Sequence, residues 1–356
     1  MGLSVSSRLM ALAALTGLSA CAVGPNFHRP APPAAAGYGS ASAEGTTTAA
    51  AGTGGAAQHL IGGMDIPGEW WTLFRSPQLN ALVEQSLKGN PNIDAAQAAL
   101  RQARDLYKAQ RATLFPTVQG QFDATRSKYA TNTLTAPTVA TSSIYNLYTA
   151  ELSLSYMPDV FGGTRRSLEA ARAQVEVTRY QLIATYVTLS SNVVITAVQE
   201  ASLRGQVAAT ERLLALQHEL TDTVQRQHGI GTASTADLLA QQATEAQIAA
   251  TLPPLQKQLG QTRDALTALL GRLPSAEPTE TFRLEDLTLP AELPVSLPSK
   301  LVEQRPDVRQ AEENMHAASA EVGVALANML PQFNITADTG STALEIGHLF
   351  SPYTGF

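Results

Sequence analysis

Residues 164–228 read TRRSLEAARAQVEVTRYQLIATYVTLSSNVVITAVQEASLRGQVAATERLLALQHELTDTVQRQH, with no proline and with Gly205 as the one glycine. As a single helix this stretch spans roughly 100 Å at about 1.5 Å per residue, several times the length of an ordinary globular helix. Leu168, Val175, Leu182 and Leu189 recur every seventh residue, with Tyr186 and Val193 on a neighbouring line. That is the spacing of coiled-coil packing, and it loosens beyond Thr196. Gly229-Ile230-Gly231-Thr232 then stops the helix. Ser234 or Thr235 is placed to cap a successor, and Asp237 falls in its first turn, where the helix dipole favours a carboxylate. The returning helix is predicted from Thr235 to Leu270, interrupted at Pro253-Pro254, so residues 159–273 make one long helical hairpin. A rod of this length demands a special architecture.

Upstream of the rod the period falls to two. Val118, Gly120, Phe122 and Ala124 alternate with Thr117, Gln119, Gln121, Asp123 and Thr125. Ala150, Leu152, Leu154 and Tyr156 alternate with Thr149, Glu151, Ser153 and Ser155. Alternation over about ten residues fits a transmembrane β-strand with lipid on one face and water on the other. A half-buried strand of a soluble sheet carries the same pattern, and the strands alone do not separate the two. Residues 117–158 are read as a strand pair, with the polar segment that joins them at an outer rim. Ahead of them, residues 66–116 hold helices from Leu79 to Leu87 and from Pro91 to Leu114. Ser76-Pro77-Gln78 opens the first, Asn90-Pro91 splits the pair and Phe115-Pro116 ends the second.

The same order begins again near residue 300. Leu82-Val83-Glu84-Gln85 recurs as Leu301-Val302-Glu303-Gln304, and Pro91 and Pro116 bracket one helix as Pro306 and Pro331 bracket another. Asn92-Ile93 answers Asp307-Val308, and Leu114-Phe115 answers Met329-Leu330. Phe333, Ile335 and Ala337 alternate with Asn334, Thr336 and Asp338, which predicts a third strand. Residues 274–331, punctuated by Pro274, Pro278, Pro290, Pro294 and Pro298, are read as an extended connector and the repeated helix. Residues 332–356 are read as the third strand with a truncated end.

The first residues carry an address. Arg8 and the apolar run Leu9 to Leu18, too short to span a bilayer, make residues 1–20 a signal peptide. Leu18-Ser19-Ala20-Cys21 reads as a bacterial lipobox, with Cys21 lipidated as the new N-terminus. An ordinary secretory signal with an incidental cysteine is the rival. Cys21 is the only cysteine, so no disulfide framework is possible. Residues 21–65 are read as the lipidated N-terminus and a flexible linker, because residues 31–57 are nearly all Ala, Gly, Ser, Thr and Pro, with Glu44 the sole charge. After the signal no stretch approaches the roughly 18 uninterrupted apolar residues of a spanning helix, which leaves a β-barrel as the route across a membrane. The net charge of −6 becomes one more negative once Arg8 is removed. That balance argues against nucleic acid as a partner, since phosphates demand clustered Lys and Arg.

Together these features resemble the outer membrane factor (TolC-like) family, in its lipoprotein branch. The likeness is carried by Cys21-Ala22-Val23-Gly24-Pro25, Trp70-Trp71-Thr72-Leu73-Phe74, Asp159-Val160-Phe161-Gly162-Gly163, Arg305-Pro306-Asp307-Val308-Arg309 and Leu349-Phe350-Ser351-Pro352. The fold class expected is mainly α with transmembrane β: a long coiled-coil helical hairpin plus β-barrel strands, with an internal tandem repeat whose second copy is incomplete. The resemblance implies a homotrimer in which each subunit gives four strands to a twelve-stranded outer-membrane barrel and helices to a periplasmic tunnel. It implies export of small solutes, with outer membrane lipid, a periplasmic adaptor protein and an inner-membrane efflux pump as partners. Ala22 after Cys21, rather than Asp, implies the outer membrane. By the same resemblance Gly229, Ile230, Gly231, Asp237 and Leu238 match the hairpin tip that adaptors grip. Asp237 matches a residue that holds the tunnel entrance shut, and its plain role as a first-turn dipole partner stays equally open. Against the family pattern, the sequence supplies three strands and one long hairpin, so a truncated member is expected.

Enzyme chemistry is not expected, and no cofactor is implied beyond the covalent lipid on Cys21. His28, His59, His218, His228, His316 and His348 are scattered, with no i,i+4 pair and no HExxH. Gly229-Ile230-Gly231 lacks the Gly-Lys-Ser/Thr of a phosphate loop, and no GxSxG occurs. Two other readings stay open. One is a lipid-anchored periplasmic adaptor acting through its coiled coil, against which stand strands that precede the hairpin and recur with the repeat. The other is a non-functional gene remnant that does not assemble.

Overall fold

The computed structural model describes residues 22–32, 45–50, 55–128, 144–278, 281–295 and 298–356. The signal segment, Cys21 and the rim segment between the paired strands, read from the sequence above, lie outside the described residues. In chain order the elements are β1 (Gly45–Thr46), β2 (His59–Gly62), a 3-10 turn (Trp70–Phe74), α1 (Pro77–Gly89), α2 (Pro91–Ala112), β3 (Thr117–Lys128) and β4 (Ile144–Tyr156). They continue with α3 (Gly163–Gly229), α4 (Thr235–Leu269), β5 (Glu292–Val295), α5 (Pro298–Gln304), α6 (Pro306–Asn328) and β6 (Ile335–Ala343). The chain divides into two compact units. The first comprises Met1–Arg29, Ala103–Val175 and Glu313–Phe356, and the second Pro30–Gln102 and Glu176–Glu312.

In the first unit β3, β4 and β6 form an antiparallel sheet in the order β3-β4-β6. The turn from β4 into α3 is built by the Asp-Val-Phe-Gly-Gly motif. Asp159 accepts hydrogen bonds from the backbone N–H groups of Thr164 at 3.0 Å and Arg165 at 2.9 Å, and pairs with the Arg165 side chain at 3.1 Å. Two orphan donors of the long helix are thereby satisfied, with a negative charge at the positive end of its dipole.

The second unit holds the larger core. Leu79, Leu82, Val83 and Ser86 bury one stripe of α1, at the i, i+3, i+4, i+7 spacing of an amphipathic helix. They meet Leu189, Val193 and Val194 of α3, Leu266 of α4, and Phe282. The expected break at Asn90-Pro91 is also a joint. Asn90 accepts from the Asn92 N–H at 2.9 Å, and it shares the Leu269 carbonyl with the Ser86 hydroxyl at 2.9 and 2.7 Å, so one turn caps two helices. Glu200, 6% exposed, pairs with Arg204 on its own helix and faces Arg263 of α4 at 3.9 Å, while Arg263 reaches Glu277 at 2.9 Å. The connector after α4 is therefore tied to the hairpin.

The structure corrects or refines the sequence reading at four points. Residues 31–57 are not wholly a tether, because β1 pairs antiparallel with β2, and β2 runs parallel to β5 in the connector. β1 is held by β2, whose own partner lies more than 200 residues away, and a composition rich in Gly, Ala and Thr does not disclose that arrangement. The two copies of the repeat differ in length. The Leu-Val-Glu-Gln run lies nine residues before Pro91 but five before Pro306, so α5 lacks one helical turn that α1 has. α3 holds one 18-residue window apolar enough to cross a membrane by length and composition, although Thr, Ser and Asn interrupt its apolar residues. Val193, Val194 and Ala197 are nevertheless buried against protein, while 28% of its most apolar window is buried, which leaves much of that surface open to a neighbour. Finally, α4 runs unbroken from Thr235 to Leu269 with Pro253 and Pro254 inside it. The proline ring already sits near helical φ, so the loss is two hydrogen bonds, whose acceptors would be the carbonyls of Ala249 and Ala250.

Restoring those bonds should tighten the rod. A Pro253→Ala, Pro254→Ala double variant is expected to slow amide exchange from residue 249 to 255, by as much as about 3 kcal/mol of added helix stability per site. Exchange that is unchanged or faster would mean that packing, not the missing bonds, limits opening there.

Candidate functional site: a two-faced sheet and a hairpin tip

Register fixes which side chains share a face of the sheet. Val118 stands opposite Leu154, Phe122 opposite Ala150, and Tyr156 opposite Ile335. On the other face Ser153 stands between Gln119 and Asp338, and Gln121 stands opposite Glu151. Because side chains alternate across a strand, one face is apolar and the other carries amides, hydroxyls and carboxylates. Among the described residues nothing covers the apolar face fully: Val118, Phe122 and Leu152 are 65%, 56% and 55% exposed. The Ser155 hydroxyl donates to the side-chain oxygen of Asn334 on the polar side at 3.1 Å. β3 has 12 residues and β4 has 13, enough for a tilted strand to cross a bilayer, which takes about 9–11. The two-residue period and the third strand stand as the sequence predicts, while β4 begins five residues earlier than the alternation shows, at Ile144.

In the second unit, α3 ends at Gly229 and Gly231 takes a φ of +78°, a conformation that only glycine adopts cheaply. Thr232 closes the turn, its backbone N–H and its hydroxyl both donating to the Gln227 carbonyl at 2.9 and 3.0 Å. Ser234 is the cap of α4. Its hydroxyl accepts from the Asp237 N–H at 3.1 Å, while Asp237 Oδ2 accepts from the Ser234 N–H at 3.1 Å and from its hydroxyl at 2.6 Å. This is a reciprocal capping box. Hydrogen bonds from the Ser234 side chain and backbone hold the Asp237 carboxyl below the usual range. Ile230 is 77% exposed at the apex, Asp237 is exposed, and Leu238 is half-buried. Cys21 lies outside the described residues. Among the described residues no three His, Cys, Asp or Glu side chains gather as a metal-binding set.

One group at the hairpin escaped the sequence reading. His218 Nδ1 lies 2.8 Å from Glu245 Oε1 on the facing helix, and its Nε2 lies 3.9 Å from Asp222. Glu245 and Asp222 push the His218 imidazole above its ordinary value. Hydrogen bonds from Thr221 and His218 pull the Glu245 carboxyl below its own. A reflection of the sequence about the Gly231-Thr232 break would have found this pair, since both residues stand equally far from that break.

By sequence the chain belongs to the outer membrane efflux protein family, matched over residues 82–272 and 297–355. It is 31% identical to the pyoverdine export outer membrane protein OpmQ of Pseudomonas putida over 287 residues, 80% of this chain and 61% of that relative. It is 29% identical to the toluene efflux pump outer membrane protein TtgF of Pseudomonas putida over 359 aligned residues, 99% of this chain and 71% of the relative. The chain thus spans about three-fifths of the length of relatives such as OpmQ. Its fold is similar to that of the outer-membrane channel OprN, with a TM-score of 0.80 and 27% identity over 94% of this chain and 71% of OprN. It is similar in fold to the Neisseria gonorrhoeae MtrE outer membrane channel, with a TM-score of 0.75 and 23% identity over 94% of this chain and 70% of MtrE.

The His218 pair gives the hairpin a pH dependence of definite sign. A raised histidine pKa contributes stability that is full in mild acid and is lost as pH rises through the folded-state value. Amide exchange around residues 214–222 and 241–248 should therefore quicken relative to the rest of the hairpin as pH rises through that value, after correction for intrinsic exchange. His218→Gln should remove the dependence. A dependence that survives the substitution would place its origin elsewhere.

Proposed function

We propose that the chain is a subunit of an outer-membrane efflux channel, working as a homotrimer with a periplasmic adaptor and an inner-membrane pump. The observation that carries this reading is the sheet β3-β4-β6, whose exposed apolar face suits lipid and whose opposite face suits water. Strands facing hydrocarbon must pair all their backbone groups, and a closed barrel is the arrangement that does so. α3 supports the reading a second way: its 67 residues make a rod of roughly 100 Å, with apolar surface left over for neighbouring helices.

Transport through such a subunit is passive. Gln119, Gln121, Glu151 and Asp338 offer water and charge to a passing solute and no enclosed pocket, so the energy comes from the inner-membrane partner. Gly229, Ile230, Gly231, Asp237 and Leu238 form the tip that an adaptor grips, with Ile230 as its exposed apolar contact. Asp237 also serves as a gate residue: both bonds from Ser234 go to Oδ2, so Oδ1 is the atom through which a donor on a neighbouring copy would hold the entrance closed. Cys21 carries the acyl anchor in the outer membrane. Stable anchoring takes more than one chain, at about 0.8 kcal/mol per buried methylene.

A matched pair of charges tests the assignment of the two faces. Leu152→Arg should cost about 2–4 kcal/mol if that face meets the bilayer midplane, and so deplete trimer from the outer-membrane fraction. Gln121→Arg, on the other face, should assemble as the unchanged chain does. Native mass spectrometry of detergent-extracted protein reads the trimer directly. Equal tolerance of both substitutions, in a lipid-free monomer, would end the channel reading.

A further inference from the structure

Ala22–Arg29 is packed into the first unit by a cluster that the strands and the hairpin tip leave unexplained. The Val23 N–H donates to the Phe161 carbonyl at 3.0 Å. Arg166, 5% exposed, donates through Nε to the Val23 carbonyl at 3.2 Å. Its Nη2 donates to the Gly24 carbonyl at 3.2 Å and to Asn26 Oδ1 at 2.8 Å, and its Nη1 pairs with Glu169 at 2.7 Å. Phe27 stacks on His316 with ring centroids 4.5 Å apart and planes 13° from parallel. His316 in turn lies 3.0 Å from Glu169 and 3.3 Å from Glu313. Gly24 has a φ of +99°, and a Cβ there would fall 2.5 Å from the Gly323 Cα, so the segment crosses α6 backbone against backbone.

The electrostatics show what this cluster is built to hold. A buried guanidinium needs its donors satisfied, because each unpaired one costs the desolvation of a charged group. Glu169 supplies one partner, and three oxygens of Val23, Gly24 and Asn26 supply the others. Burial pushes the Glu169 carboxyl up, but hydrogen bonds from Arg166 and His316 outweigh it and hold the carboxyl below its usual range. With the segment removed, Arg166 would keep its charge, lose three acceptors and have only water to replace them. The cluster has the chemistry of a peptide-binding site: a buried cation for successive carbonyls, a flat ring for an aromatic side chain, and a glycine where two backbones touch.

We propose that Arg166, Glu169, His316 and Gly323 form a binding site for the chain's own segment Ala22–Phe27, and that this docked strap fixes where the N-terminal anchor leaves the protein. The docking stands on the contacts above. The consequence for the anchor rests on the proposed lipidation of Cys21, one residue before Ala22.

Hydrogen exchange on the purified full chain, extracted from outer membrane into detergent, separates the two. In the natural sequence and in Cys21→Ser alike, the Val23 amide should exchange at least about tenfold more slowly than in a free peptide of residues 22–29. Arg166→Gln and Phe27→Ala should each abolish that protection. Should Arg166→Gln fail to fold, Phe27→Ala and Asn26→Ala, on the strap itself, carry the test. Fast exchange of Val23 in the natural sequence would overturn the proposal. So would protection that vanishes in Cys21→Ser, or that survives Phe27→Ala and Asn26→Ala. The intact mass of the N-terminal peptide reports acylation independently, so an unlipidated Cys21 would sink the anchor reading and leave the strap standing.

Discussion

Hydrocarbon offers a backbone no hydrogen-bond partners, and that constraint governs the sheet. β4 is satisfied along both sides by β3 and β6. β6 gains a further partner in the chain that follows it, because Thr342 N–H donates to the Thr354 carbonyl at 2.9 Å, and Gly340 and Phe356 exchange bonds at 3.3 and 2.9 Å. β3 stands at the edge of the sheet, with its outer backbone groups facing no strand of this chain among the described residues. A soluble sheet tolerates such an edge in water, whereas a sheet whose apolar face meets lipid does not. Side-chain alternation and an open edge thus agree with the proposed trimer, in which the β3 edge of one copy would be closed by a different sheet edge of the neighbouring copy.

The helical part faces a different constraint. An α-helix satisfies its own backbone, so α3 is limited by side-chain burial rather than by unpaired groups. Its buried positions change character along the rod, from Ala170 and Ala173 to Val177, then Leu189, Val193 and Val194. The seven-residue line read in the sequence is half-buried at Leu168, Val175 and Leu182, and fully buried at Leu189. Small residues line enclosed positions of the first unit, while Leu168, Val175 and Leu182 of the heptad line keep surface to spare. A rod whose heptad line is only half-buried at three of four positions is one side of a contact. This is why the length of α3 and its incomplete burial carry the same message as the open edge of β3.

What was legible in the sequence is what local periodicity encodes. A period of two placed β3, β4 and β6. The lack of proline gave α3, and the Gly229–Thr232 cluster gave the turn. The proline spacing revealed α2 and α6 as copies. Features that depend on distant partners were not legible. Pro253-Pro254 signals a break by every local rule, yet the surrounding helix absorbs two lost bonds. Gly45–Thr46 and His59–Gly62 look like linker because β2, which holds β1, has its own partner in Glu292–Val295. At the tip, Asp237 was placed in the first turn, but its reciprocal bonds with Ser234 were not foreseen, although the Ser-x-x-Asp spacing is a weak form of the capping-box signature. His218 and Glu245 were readable in principle, by symmetry about the turn. Arg166 was not, since its partners lie about 140 residues away.

That last cluster bears on how an anchor can be more than an anchor. Burial of an acyl chain is favourable but non-directional, so by itself it holds a protein near a membrane without orienting it. Hydrogen bonds are directional, and the strap makes four of them with Arg166 and the Phe161 carbonyl. Phe161 and Arg166 flank the turn in which Asp159 caps α3, so the strap is fastened to the point where strand becomes rod. Force or position communicated through Ala22–Phe27 would reach the start of α3 through these bonds, not through a slack linker. In the proposed arrangement an acyl chain on Cys21 would supply affinity for a membrane, and the buried guanidinium supplies the geometry.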